Sequence, residues 1–358
     1  MDENLDFVKV AKIKVIGVGG GGNNAVNRMV TDGVKGVDFY VANTDAQVLK
    51  GITGVNKIFL GRDITQGLGA GGNPEIGRKA AQESENEIRE ALADANMVFV
   101  AAGMGGGTGT GGAPVVAKIA RDLGALTVGV VTSPFTFEGP RRKRQAFAGL
   151  EELRKNVDSI IVVSNDRLLE VIGNRPMNEA FREADNILRQ SVQTITDLIA
   201  IPAMINLDFA DVSSVMKDRG DALIGIGMAE GENKAQEAAK RAVSSPLLDV
   251  SINGAKDAIV NITGGPSMSL FEASEAFATI TEAIGNDVNA IMGVASNDQL
   301  DDQIIVTIIA TGFEEDQPEE EVVATPKQAY TVHGNKTTTV VEDDDEDPLP
   351  GFIRNRKI

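Results

Sequence analysis

The run Gly103-Met104-Gly105-Gly106-Gly107-Thr108-Gly109-Thr110-Gly111 can hold a ligand through its backbone. Residues without side chains let main-chain N–H groups turn inward and come close to a bound group. The run follows an apolar segment read as a strand, 97–102, and precedes a helix-like segment, 113–123. A helix N-terminus adds unpaired N–H donors and the positive end of a dipole, which suit phosphate. Thr108 and Thr110 add hydroxyl donors. The Gly-Lys-Ser/Thr ending of a P-loop is missing, so this is a different phosphate cradle. A flexible linker of similar composition would seldom sit between a buried strand and an apolar helix.

Two further glycine runs share this setting. Gly17-Val18-Gly19-Gly20-Gly21-Gly22-Asn23-Asn24 follows a strand at 13–16 and opens a helix. It contains the Gly-x-Gly-x-x-Gly spacing, and Asp45 ends the second strand, so on its own it would favour a dinucleotide. Gly67-Leu68-Gly69-Ala70-Gly71-Gly72-Asn73-Pro74 opens another helix. Three cradles around one ligand suit a triphosphate better than a pyrophosphate.

The segment 105–111 in this context resembles the phosphate-binding motif of the tubulin/FtsZ family, in a form similar to its bacterial cell-division branch. Matching residues run from about 12 to 313, with a short match at the C-terminus. The resemblance implies that Gly20, Gly21, Gly22 and Asn23 touch the phosphates of GTP, and that Asn24 reaches toward the base. It implies that Gly107, Thr108 and Gly109 hold the phosphates and that the loop containing Gly71 senses the terminal one. The alanine usual before Asn73 is here Gly72, which would make that loop more mobile.

Thr132-Ser133-Pro134-Phe135-Thr136-Phe137-Glu138-Gly139 follows the fourth strand. By resemblance Glu138 accepts from the ribose hydroxyls and Arg142 contacts the nucleotide. Read alone, Glu138 is a helix-start carboxylate and the basic run 141–144 a solvated face. Pro140 replaces a basic residue common in relatives. Phe181 and Asp185 stand four apart, on one face of a long helix at 178–200. A phenyl ring can lie on a purine. A carboxylate beside it can accept from N1–H and the 2-amino group of guanine, donors that adenine lacks. Asn165, after the fifth strand, could read the remaining edge. Phe181 also fits the apolar spacing of Leu188, Val192, Ile195 and Ile199, as a core residue would.

Asn206-Leu207-Asp208-Phe209-Ala210-Asp211 follows the long helix. Asp211 alone reads as the N-cap of a helix at 212–217. The resemblance instead implies a loop that enters the nucleotide site of the next subunit in a filament. There Asn206, Asp208 and Asp211 would orient the attacking water near the terminal phosphate. Mg²⁺, held mainly through the phosphates, would neutralise the developing charge.

These motifs need elements to position them. Strand-like runs at 13–16, 37–42, 97–102, 127–131 and 159–163 alternate with helix-like segments at 24–31, 74–93, 113–123 and 142–155. That alternation predicts a Rossmann-like α/β fold, with ligands beyond the carboxyl ends of parallel strands. A second, smaller α/β region has strand-like runs at 258–262 and 303–310 and helices near 234–244 and 269–283. The expected organisation is a flexible N-terminus, 1–11, a GTP-binding domain, 12–176, a central helix, 177–203, and a C-terminal domain, 204–313. A disordered acidic linker, 314–346, and a docking peptide, 347–358, complete it.

Composition narrows the chemistry. The chain has 358 residues, no cysteine and one histidine, His333, so thiolate nucleophiles and a Ser-His-Asp triad have no basis. A net charge of −18 argues against nucleic-acid partners. No apolar run reaches membrane-spanning length, and the opening MDENLDF is acidic, so a cytoplasmic protein without membrane insertion is expected. Residues 314–347 hold twelve acids against two lysines, whereas 348–358 hold Arg354, Arg356, Lys357 and no acid. Leu349, Phe352 and Ile353 among prolines and cations read either as a charged tail or as a peptide that docks on membrane tethers and regulators.

The reading is a GTPase that polymerises head to tail and scaffolds the division ring at mid-cell. The rival readings are a nucleotide-cofactor oxidoreductase, for which the folded body lacks a histidine or cysteine acid–base group, and a non-catalytic nucleotide-binding scaffold.

Overall fold

Short apolar runs buried on both faces are what a parallel sheet covered by helices requires. All six residues of the first strand, Ile13-Lys14-Val15-Ile16-Gly17-Val18, are buried. The computed structural model describes residues 11–173, 176–200, 204–205, 207–245, 251–285 and 287–313. Residues 1–10, Asn206, the linker 314–346 with His333, and the peptide 347–358 lie outside the described residues.

The first half runs β1 (Ile13–Val18), α1 (Gly19–Thr31), β2 (Val37–Asn43), α2 (Ala46–Gly51), β3 (Asn56–Phe59), α3 (Arg62–Thr65), α4 (Pro74–Glu83) and α5 (Glu85–Leu92). It continues through β4 (Met97–Gly103), α6 (Thr108–Asp122), β5 (Leu126–Ser133), α7 (Pro140–Arg154), β6 (Ser159–Ser164) and α8 (Asn165–Ile172). The long helix α9 (Met177–Ala200) and α10 (Phe209–Met216) lead to the second half. That half holds β7 (Gly220–Glu230), α11 (Lys234–Val243), β8 (Asp257–Gly264), α12 (Leu270–Ile284), β9 (Asn289–Ser296) and β10 (Gln303–Thr311).

The strands form one sheet in the order β3-β2-β1-β4-β5-β6-β7-β10-β8-β9. From β3 to β7 all neighbours are parallel, while β10 is antiparallel to both β7 and β8. Alternate side chains of each strand feed two cores. Ile13 and Val15 of β1 pack with Met29 of α1 and Leu188 of α9, whereas Ile16 and Val18 pack with Ala80 of α4 and Ala117 of α6. A third core joins α11 and α12 to the last strands.

Strand order reverses between β1 and β4, because β2 lies on one side of β1 and β5 on the far side of β4. In sheets of this kind the crevice at such a switch point is where ligands bind. The two runs richest in glycine follow β1 and β4, so the topology brings them to that crevice.

Several boundaries differ from the sequence expectation. Helices α1 and α6 start inside the glycine runs, at Gly19 and Thr108, so the cradles are helix N-termini more than loops. The expected helix 74–93 is broken at Ser84, whose hydroxyl accepts from the Gly61 N–H and donates to the Phe59 carbonyl. β2 stops at Asn43, and Asp45 is the N-cap of α2.

Candidate nucleotide site

The site can be followed contact by contact from its phosphate end to its base end. Gly19 adopts φ +73°, and a β-carbon there would lie 2.7 Å from the Gly109 nitrogen. The starts of α1 and α6 therefore touch. Neither helix has an acidic residue in its first turn or a side-chain cap, so both present bare N–H groups. Two dipoles and two sets of free donors converge on one crevice, an arrangement matched to a polyphosphate.

The third glycine loop closes on the same place. A β-carbon at Gly107 would lie 2.9 Å from the Asn73 nitrogen and 2.8 Å from the Ala70 β-carbon. Asn73 caps α4 by accepting from the Glu75 N–H, and the Gln145 amide of α7 donates to the Gly72 carbonyl. Gly20 and Gly71 face open space, where a ligand can approach.

On the other side of the crevice stands Arg142, near the start of α7. Its Nη1 lies 2.6 Å from Glu138 Oε2, and its Nη2 is 3.9 Å from the position a Gly106 β-carbon would take. The other Glu138 oxygen accepts from the Phe135 N–H at 3.0 Å. Phe135 is fully buried, stacks on Phe137 and meets the edge of Phe181 with centroids 5.3 Å apart. Phe181 is therefore no core residue. It is 40% exposed, at the start of α9, with its ring steadied from behind.

Asp185 lies one turn further along α9. Burial pushes its carboxyl up to about 6, and the Arg28 guanidinium of α1 only partly offsets this. A half-buried carboxylate with no hydrogen bond among the described residues suits a ligand that brings its own donors. Asn165, first residue of α8, is buried, and its Oδ1 has no hydrogen-bond partner among the described residues. An unsatisfied buried acceptor costs about 1–3 kcal/mol and calls for a partner from outside the chain. Asn24 is exposed on α1, one turn before Arg28.

Asn23 has a different role from the one its neighbours suggest. Its side chain is fully buried, donates to the Gly17 and Ala42 carbonyls and accepts from the Asn43 amide. It braces the turn after β1. Thr44, which the sequence reading passed over, is buried beneath the cradle with its hydroxyl 2.6 Å from that of Thr108. The rule that ligands lie beyond strand ends could have pointed to it, since it follows β2 directly.

Asp208 and Asp211 lie elsewhere. Asp208, not Asp211, is the N-cap of α10, and the two form a reciprocal capping box: each carboxylate accepts from the other's backbone N–H, at 2.8 and 3.0 Å. The helix starts a turn earlier than expected because Asp208 has the extended backbone of a cap. Phe209, Ser213 and Lys217 line a cleft with Asn96 and Leu126, which stand at the amino ends of β4 and β5. The glycine cradles follow the carboxyl ends of the same sheet. From Phe181 to Ala200 α9 climbs about 29 Å at 1.5 Å per residue. The acidic pair is thus at the opposite end of the sheet from the phosphate crevice.

The dinucleotide reading fails at Asp45. The acid that would read a ribose accepts instead from the Gln47 and Val48 N–H groups of α2. Residues 12–173 match the Tubulin/FtsZ family, GTPase domain, and residues 220–314 match the FtsZ family, C-terminal domain. An empty FtsZ dimer from M. jannaschii is 44% identical, over 84% of this chain and 88% of that one, with a TM-score of 0.81. A point mutant of the same FtsZ is 44% identical over 85% and 91%, also with a TM-score of 0.81. CetZ2 from Haloferax volcanii, in a GTPγS-bound protofilament, shares the fold at 23% identity, over 86% and 94%, with a TM-score of 0.73. The chain therefore belongs to the tubulin/FtsZ family and is a guanine-nucleotide-binding GTPase.

Proposed function

We propose that this GTPase polymerises head to tail and that each nucleotide is hydrolysed at a junction between two subunits. The observation that carries the reading is the separation of the Asp208–Asp211 pair from the cradle within one chain. A carboxylate at the far end of the sheet can reach a γ-phosphate only on another subunit. Heterologous contacts of this kind need not close, so they extend into open filaments. Two large apolar side chains stand exposed: Leu68 in the third glycine loop at 84%, and Met204, shortly before the acidic loop in sequence, at 66%. The M. jannaschii FtsZ is described as a dimer, which supports self-association.

The reaction is transfer of the γ-phosphoryl group to water. The cradle N–H groups and Arg142 hold the phosphates, while Asp208 and Asp211 of the neighbour orient the water. Among the described residues no cluster of three acidic or imidazole side chains is placed to hold a metal ion. Mg²⁺ would accordingly be carried on the phosphates and would supply charge neutralisation there.

We place this polymer in the cytoplasm as the scaffold of the bacterial division ring. Among the described residues no helix is long and apolar enough to cross a membrane, so recruitment is assigned to other proteins, through 348–358. Deleting 348–358 should leave hydrolysis and assembly intact and abolish recruitment to division sites in cells.

The deciding experiment is light scattering with GTP, GDP or ATP, with released phosphate measured in parallel. Scattering and phosphate release should appear with GTP and be absent with ATP. Assembly without phosphate release would favour the non-catalytic scaffold. Full turnover without assembly would remove the shared site.

A further inference from the structure

We infer that Asp166 is a positioning residue that clamps the sugar-reading loop to the base-reading helix. The inference rests on the reading that Glu138 accepts from the ribose hydroxyls. Both oxygens of Asp166 are engaged by one residue of that loop: the Thr136 N–H donates to Oδ1 at 2.8 Å and the Thr136 hydroxyl to Oδ2 at 2.6 Å. Thr136 starts the three-residue 3₁₀ turn that ends at Glu138. Asp166 is the second residue of α8, directly after Asn165, the buried amide with the unpartnered oxygen. One carboxylate thus joins the element that meets the sugar to the element that meets the base.

The loop's other contacts are local: the Phe135 N–H and Arg142 hold Glu138, and Phe137 stacks on Phe135. Within the turn the backbone makes two bonds, Glu138 N–H to the Phe135 carbonyl and Gly139 N–H to that of Thr136. Turns this short are weakly held by their own hydrogen bonds. Phe135 anchors one end in the core, but Thr136 and Phe137 are exposed. The Phe135 N–H and Arg142 each hold one Glu138 oxygen, but both belong to the same loop and the helix that follows it, so Asp166 is what ties the turn carrying Glu138 to α8. An acid in the first turn of α8 could instead serve only the helix dipole. That role predicts lower stability and equal weakening of every nucleotide. A positioning role predicts a loss confined to ligands that carry ribose hydroxyls.

The test uses the full chain and equilibrium binding of GDP and 2′,3′-dideoxy-GDP, with melting temperature recorded for each variant. Wild type should prefer GDP. Asp166→Ala and Thr136→Val should narrow that preference at least threefold and leave dideoxy-GDP binding unchanged. Asp166→Asn should restore it, because its amide oxygen accepts from the Thr136 N–H and its amide N–H can donate to the Thr136 oxygen. An unchanged preference in both Asp166→Ala and Thr136→Val, or equal loss for the two nucleotides, would overturn the inference. A wild type without preference would sink the Glu138 reading itself, and this inference with it.

Discussion

Arg142 and Glu138, both assigned to the nucleotide, are bonded to each other across one turn at the start of α7, 2.6 Å apart. Arg142 is half-exposed, so the pair is worth only about 0–1 kcal/mol and does not lock the site. Before a ligand arrives, each group is the other's partner.

If Glu138 then passes to the sugar and Arg142 to the phosphates, two variants separate their roles. Glu138→Gln should weaken GDP roughly tenfold, the loss of one charged hydrogen bond of about 1.5 kcal/mol. Arg142→Ala should weaken GTP and GDP and leave guanosine unaffected. Titration with the three ligands checks this. An Arg142 variant that loses guanosine as well would place Arg142 at the sugar or base instead.

Asp185 gives the site a pH dependence with a definite sign. Burial pushes its carboxyl up to about 6, above its ordinary 3.8. Between those values the folded state binds more protons than the unfolded one, so this group's contribution to stability falls as pH rises through the window. If Asp185 accepts from guanine it must be ionised, so affinity should fall as pH drops below about 6, by at most tenfold per unit. Stability and affinity therefore move in opposite directions from pH 7 to 5. A terminal phosphate also titrates near 6. The informative quantity is thus the difference between wild type and Asp185→Asn, which should bind GDP more weakly at pH 7 and show a flatter profile. Identical profiles would remove Asp185 from the base pocket.

The cradle glycines divide into two kinds. Gly20 faces open space at the start of a helix, so Gly20→Ala should stabilise the nucleotide-free protein by up to about 1 kcal/mol. The same methyl enters the ligand's space and should weaken GTP at least tenfold. Gly107→Ala should lower both stability and affinity, because its β-carbon meets the Asn73 backbone. Melting temperature and nucleotide titration on the two variants test the assignment. Unaltered affinity in Gly20→Ala would move the phosphates away from α1.

How much of this was legible in the sequence follows from the range of each interaction. Glycine runs after apolar strands are local signals, and they located the crevice. The i, i+4 spacing of Phe181 and Asp185 is also local and placed both on one turn of α9. What escaped depended on distance in the chain. Thr44 meets Thr108 across 64 residues, and Arg28 approaches Asp185 from another helix. Asn23 and Asn24 look alike in sequence, yet one is fully buried and the other exposed. The sequence reading passed over β7, which carries Gly225 and Gly227. They are there because the α11 backbone packs so close that β-carbons would lie 2.2 and 2.0 Å from its carbonyl oxygens.

The capping box at α10 sets how catalysis between subunits should be tested. Asp208→Ala would remove a cap worth about 1 kcal/mol as well as a charge, and so confuse unfolding with lost chemistry. Asn caps about as well as Asp, so Asp208→Asn keeps the helix start and removes only the charge. This variant should bind GTP like wild type, since the pair lies at the far end of the sheet from the cradle. It should assemble, hydrolyse at least tenfold more slowly and disassemble slowly. Mixed with wild type it should depress total turnover, because each variant subunit spoils a neighbour's site. Mixed with a cradle variant that binds GTP without hydrolysing it, activity should partly return, since some junctions then pair two intact halves. Turnover per wild-type subunit should also rise with protein concentration from a negligible value at high dilution. Normal turnover by Asp208→Asn, or wild-type turnover independent of concentration, would show that each subunit completes its own site.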